Sequence, residues 1–301
     1  MNTRNDPSTL ASSSLPRRQK PHSGMVWRRI KNTCVFLVTV LCALLAVSVL
    51  VFILGYLLWH GGTALNWAFF TQLPKPVGES GGGIANAIVG SASLILIAAA
   101  IGIPIGFLGA IYLVEYGGTK FNFLVRYAAD LLNGVPSIVV GVFAYTAVVL
   151  HTHHFSAWAG GFALGLMMIP TTLRGTEEIL RLVPLELREA AAALGAPHWK
   201  IIFTVVIPVA ARGILTGIML AVARIAGETA PLLFTSFGNQ FWSRGLNEPT
   251  ASLPVQIYTY AISPYDDWHR QAWAAGLVLL MGVLLTNIIV RTFLRPKAQT
   301  V

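Results

Sequence analysis

Six runs of apolar residues divide this chain: Cys34–Trp59, Ile84–Val114, Leu131–Leu150, Phe155–Leu173, Ile214–Ser236 and Ala272–Leu294. A bilayer core of about 30 Å takes roughly 20 helical residues to cross, so the pattern predicts six transmembrane helices. In hydrocarbon every backbone N–H and C=O must be satisfied within the segment, which favours helices over open sheets. The composition agrees, with 55% hydrophobic and 11% charged residues against roughly a quarter charged in a soluble domain. The second run exceeds a straight crossing and contains Pro104, which removes a backbone donor and favours a kink. Its first turns are expected to leave the membrane or lie along its surface. Pro136 falls inside the third run, and a helix can begin there because proline suits a first turn.

Charge then orients the spans. Lys and Arg are biased towards cytoplasmic loops. Seven basic residues precede the first run, and Lys120, Arg126, Arg174, Arg181, Arg188, Lys200, Arg291, Arg295 and Lys297 fall on the same side, making sixteen. The other side carries three: Lys75, Arg244 and Arg270. Both termini are therefore expected in the cytoplasm, with the polar segment between runs four and five beside them. The formal charge of +9 is a topology signal and not a nucleic-acid patch. The stretch 1–24, rich in Ser, Pro and Arg without apolar periodicity, reads as a disordered cytoplasmic tail. A cleaved leader is not expected, since the following run is too long and lacks a small-residue cleavage site. Cys34 and Cys42 lie within the first run and read as small hydrophobes. His151, His153 and His154 read as a solvated turn and not as metal ligands.

The segment from Arg174 to Ile207 is long, charged and patterned. Leu182, Leu185, Leu187, Ala190 and Leu194 give an apolar stripe at near-helical spacing, which Gly195 and Pro197 interrupt before a second helical piece begins at Trp199. Glu189-Ala190-Ala191 is followed after three residues by Gly195 and, nine residues later, by Val205-Val206-Ile207-Pro208. Small alanine side chains let a partner approach closely, and Gly195 permits a turn that a side chain would obstruct. Docking to a partner and resting on the membrane surface both fit this pattern.

Arg224 and Glu228 lie inside the fifth run, where each charge costs on the order of 2.5–3.5 kcal/mol on insertion scales. They must face protein or water. At 1.5 Å per residue Arg224 lies roughly 24 Å along a helix starting at Pro208, near the midplane. The i, i+4 spacing would put both on one helical face, where they could pair. The pair could simply neutralise itself, or Arg224 could offer a passing anion a planar fork that never deprotonates. Arg174 and Glu177, at the inner end of the fourth run, form a second candidate pair.

The Glu189–Pro208 pattern resembles the EAA loop of ABC importer permeases, with Glu189, Ala190, Ala191, Gly195, Ile207 and Pro208 at the family's positions and Val205 where Ile is commoner. This resemblance implies an all-α integral membrane protein with a type I ABC importer permease (MetI-like) core over 84–291. Residues 25–83 would form a first span, wrapping a partner permease, and a periplasmic loop, and 292–301 a cytoplasmic tail. Within that class, three strings are similar to the A-type permeases of bacterial phosphate import systems: Asn133–Val139, Pro170–Glu178 and Ala223–Leu233. Leu253–Tyr258 and the Trp268–Trp273 region add to the likeness. It implies that Arg174, Glu177, Arg224 and Glu228 attend phosphate passage. The implied partners are a homologous C-type permease forming a heterodimer, two cytoplasmic ATPase subunits, a periplasmic phosphate-binding protein and membrane lipid. The loop 237–270, with Trp242, Tyr258, Tyr265 and Trp268, would face the binding protein or the membrane interface. No cofactor is implied. The chain has no Walker loop, so ATP hydrolysis would belong to another subunit. Permeases for molybdate, sulfate or phosphonate, and a carrier acting alone, are the alternatives.

Overall fold

The computed structural model describes residues 23–118 and 120–293, so most of the 1–24 tail and nearly all of the 292–301 tail fall outside it. Among the described residues all named elements are helical. In order they are α1 (Ser23–Gly61), α2 (Trp67–Thr71), α3 (Ala85–Glu115), α4 (Lys120–Gly134), α5 (Ser137–Thr152), α6 (Ala157–Arg181), α7 (Leu185–Ala193), α8 (His198–Ala226), α9 (Ala230–Thr235), α10 (Leu253–Ala261) and α11 (Asp266–Phe293). The chain divides into two units at Leu54 and Gly55. Within the first, the described residues form a single helical stretch of α1 whose large apolar side chains are exposed. Everything below concerns the second.

Four described helices are long and apolar enough to cross a membrane, and five if the bent pair α4–α5 counts as one, against the six spans expected. The difference lies in α6, whose 25 residues include glycines, threonines and terminal charges that lower its hydropathy. The third run behaves as Pro136 predicts: α4 stops at Gly134, Pro136 caps α5, and the two axes differ by 102°. Residues before proline avoid the helical region, so the chain turns there. Pro104 does not interrupt α3, which is helical for 31 residues. The fifth run does break: α8 ends at Ala226, and α9 begins at Ala230 with Pro231 in its first turn.

The centre of the unit is α3 packed along α6. Lipid tails are as apolar as leucine, so helices in a bilayer associate through close packing and not through water exclusion. Ala98, Gly102, Gly106 and Ala110 recur every four residues on α3, and all four are buried. A Cβ at Gly102 would fall 2.6 Å from Met168 Cβ, and one at Gly106 would fall 2.8 Å from the Ile169 carbonyl oxygen. From the opposite side, a Cβ on Gly161 of α6 would lie 2.4 Å from Ile97 Cγ2. The two backbones thus approach as closely as glycine allows. Ser156 caps α6, its side chain accepting the Ala159 N–H at 3.1 Å.

Candidate functional site

The α7 turn shows why the glycine stands where it does. Leu194 is the C-cap of α7, and Gly195 adopts φ +80°. Its N–H donates to the Ala192 carbonyl at 2.9 Å, and the Ala196 N–H donates to the Ala191 carbonyl at 3.3 Å. This is the paired pattern of a Schellman turn, which favours glycine at the left-handed position and an apolar contact across the turn. Ala191 and Ala196 supply it, both packing on the cluster of Leu180, Val183, Ile201 and Val206. The spacing from Ala191 to Gly195 is therefore the spacing of a helix stop. Further on, α8 widens into a π turn over Ile202–Val206 immediately before Pro208. Proline cannot donate to, and its ring crowds, the carbonyl four residues back, and a wide turn accommodates it.

Among the described residues, nothing covers the outer side of α7. None of its residues is buried, and Leu185, Leu194 and Trp199 are 63%, 90% and 61% exposed. Glu189, Ala190 and Gly195 lie on this exposed stretch, while Ala191 and Ile207 are half-buried and Pro208 sits on an exposed part of α8. The expected motif thus divides into an outward-facing part and a part that holds the turn in shape.

Arg174 and Glu177 do come together, but within a larger group. Glu177, 2% exposed, accepts from Arg126 Nε at 2.6 Å, Arg181 Nη2 at 2.7 Å and Arg174 Nη1 at 3.1 Å. Arg174 also grips Asp130 through a two-pronged contact, with Nε to Oδ1 at 2.8 Å and Nη2 to Oδ2. Planar guanidinium and carboxylate groups match in this geometry. Arg126 and Asp130 lie one turn apart on α4; Arg174, Glu177 and Arg181 lie one turn apart on α6. Three guanidinium groups thus share two carboxylates and join α4 to α6. The sequence reading found Arg174 and Glu177 but missed Arg126, Asp130 and Arg181. The matching i, i+4 spacings were available there; the approach of residues 44 and 51 positions apart was not.

Arg224 and Glu228 do not share a helical face, which corrects the expectation. Gly227 ends α8, with its N–H on the Arg224 carbonyl at 3.3 Å and the Glu228 N–H on the Ile225 carbonyl at 3.1 Å. That tight turn carries Glu228 off the helix. No ion pair between the two appears among the described residues. Arg224 is exposed and Glu228 half-buried. At the turn after α5, His151 and His154 each meet a backbone carbonyl, at 3.2 Å and 3.4 Å.

Comparisons with known proteins follow the same outline. A family model described as "Binding-protein-dependent transport system inner membrane component" matches residues 102–297. The phosphate transport system permease protein PstA of Yersinia pestis is 46% identical over 98% of this chain and 97% of its own length. PstA of Haemophilus influenzae is 44% identical over 90% of this chain and 96% of its own. Among solved structures, an inward-facing MetNI methionine ABC transporter chain superposes with a TM-score of 0.56 at 17% identity, covering 71% of this chain and 95% of that one. A chain of a bacterial ABC transporter involved in alginate import gives 0.52 at 15% identity, over 90% and 100%. At such identities the likeness is one of fold.

Proposed function

The chain belongs to the family of binding-protein-dependent transport system inner membrane components, and we propose that it is the permease subunit of an ATP-driven importer of inorganic phosphate. Its fold is that of the ABC importer permeases. The observation that carries the substrate is near full-length identity of 42–46% to several relatives named as phosphate permeases. Both termini, with α7, lie on the cytoplasmic side in this reading, as the basic residues indicate.

The exposed apolar face of α7 supports the mode of drive. Such a face costs free energy in water and suits a groove on another protein. A cytoplasmic ATPase would seat α7, and a homologous C-type permease would complete the pathway as a heterodimer. A second ATPase copy, a periplasmic phosphate-binding protein and the lipid around α1 complete the assembly. Closure of the ATPases on nucleotide would rock the permeases outward to receive phosphate; reopening would release it inward.

In this mechanism Arg224 offers a fixed positive charge on a surface that a partner permease could complete, and Glu228 modulates it after the break at Gly227. Arg174 and Glu177, the other charged groups assigned here to phosphate passage, join α4 to the C-terminal part of α6 together with Arg126, Asp130 and Arg181. Phosphate uptake by the assembled complex in membrane vesicles tests the reading. Losing a charge-assisted hydrogen bond worth about 1.5–3 kcal/mol, Arg224→Ala should lower uptake roughly 10- to 100-fold. Arg224→Lys keeps the charge but loses the fork, and should fall between. Unchanged uptake in Arg224→Ala would remove the residue from the pathway. Preferential uptake of sulfate or molybdate by the wild-type complex would overturn the substrate.

The turn after α7 gives a second test. With nothing within 4 Å of a Cβ at Gly195, Gly195→Ala adds no clash, only the left-handed backbone penalty of about 1–2 kcal/mol. Gly195→Asn should cost less, because asparagine visits that region more readily. Co-purification of the ATPase is expected to weaken in the alanine variant and to be largely retained in the asparagine one. Equal retention in both would show that the turn does not present α7 for docking.

A further inference from the structure

Glu115 is the last residue of α3, and its side chain is only 4% exposed. A carboxylate there faces two costs: burial disfavours its charge, and the C-terminal end of a helix carries partial negative charge. Something positive must hold it. Arg188 Nη1 lies 2.5 Å from Oε1, and His198 Nε2 lies 3.7 Å from Oε2. The other prong of the same guanidinium, Arg188 Nη2, donates to the Leu180 carbonyl of α6 at 3.0 Å. Tyr116, next in the chain, presents its ring edge-on to His198 at 5.3 Å.

The Glu115–Arg188 ion pair and the contacts around it therefore bring together four elements: α3 through Glu115, α7 through Arg188, α6 through the Leu180 carbonyl and the start of α8 through His198. Arg188 immediately precedes Glu189, so it grips α7 from within while the exposed face looks outward. This matters because α7 buries none of its residues. Apart from the small Ala191 and Ala196 contact at its end, α7 has little else to transmit a push. Beyond Glu115, α3 is clamped to α6 through Gly102 and Gly106, where even a methyl group would clash. Closely packed elements transmit displacement because their interiors do not compress.

We propose that Glu115 is a positioning residue for transmission: through Arg188 it locks α7 to α3 and α6, so that movement of a docked ATPase reaches the membrane helices as a displacement of the α3–α6 pair. This rests on the importer reading above. Without the pair, α7 could still dock and the ATPase could still turn over, but its movement would be taken up by the connections on either side of α7.

The test uses the complete transporter in vesicles, measuring phosphate taken up and ATP hydrolysed in the same sample, with subunit assembly followed by co-purification. Glu115→Ala is expected to leave the complex assembled and to lower phosphate imported per ATP by at least about fivefold, the lower end of ordinary coupling between sites. Glu115→Gln keeps the size and one acceptor oxygen, and carries the same expectation should alanine prevent assembly. The double exchange Glu115→Arg with Arg188→Glu should recover the ratio relative to either single variant, as coupled neighbours do. A wild-type ratio in both Glu115 variants overturns the proposal, as does a double exchange no better than the singles. So does a loss of uptake in Glu115→Gln that is explained wholly by lost assembly. If the wild-type complex itself imports no phosphate with ATP, the importer reading fails instead.

Discussion

Exchanging Glu177 for alanine is expected to lower the stability of the subunit by about 1.5–3 kcal/mol, the usual worth of a hydrogen bond to a charged group, because the arginines left behind are partly exposed. Its carboxylate is the shared acceptor of Arg126, Arg174 and Arg181. Without it only Asp130 remains opposite three guanidinium groups. Arg174 keeps that partner, but Arg126 would hold only the Leu113 carbonyl, at 3.3 Å. The side chain of Arg181 is 53% exposed, so its share of the loss is small, and Arg181→Ala should cost no more than about 1 kcal/mol. Glu177→Gln should fall between, since an amide oxygen still accepts but carries no charge. Unfolding of the detergent-solubilised complex provides the measurement. A Glu177→Ala variant as stable as Arg181→Ala would show that the cluster does not hold α4 to α6.

Placing leucine at Gly106 should have the second large effect, yielding no recoverable folded complex. Even a methyl group there would lie 2.8 Å from both the Ile169 carbonyl oxygen and Thr172 Cβ, and 3.1 Å from the Leu173 nitrogen. Two of these are backbone atoms and cannot swing aside, so α3 and α6 must separate. Overpacking by a single group typically costs about 1–3 kcal/mol, which is the expectation for Gly106→Ala; leucine adds three further carbons to the same gap. Gly62→Ala, where a Cβ meets nothing within 4 Å, should be close to neutral. Yield of monodisperse protein and its thermal transition decide the matter, and a normally folded Gly106→Leu variant would contradict the tight α3–α6 contact.

These predictions differ in how far the sequence revealed them. Pro136 marked the start of α5 because a ring-locked φ and a missing donor act locally. Gly195 marked a turn for a similar reason, although only the observed hydrogen bonds explain why it follows Ala191 by four residues. The Ala98, Gly102, Gly106 and Ala110 repeat was present in the sequence and went unread, since hydropathy averages over small residues instead of registering their spacing. Along the chain Arg126 registers only as one more basic residue of a loop, yet it reaches Glu177 on another helix.

The fifth apolar run separates the two kinds of information most clearly. Hydropathy identified a membrane segment from Ile214 to Ser236, but assumed a straight helix and so placed Arg224 and Glu228 on one face. Hydrophobicity reports the cost of a residue in lipid; it says little about whether backbone hydrogen bonds continue past Gly227.

By itself the sequence determined a helical membrane protein, the expected side of its polar loop, and the residues that punctuate its helices. These follow from local backbone chemistry, transfer into lipid and the distribution of charge, each acting along the chain. Only the tertiary structure decided that Glu177 serves three arginines, that Glu115 meets Arg188, and that glycines set the distance between α3 and α6. Those contacts join residues far apart in sequence, and their energies depend on distance and burial, which become defined only when the helices pack.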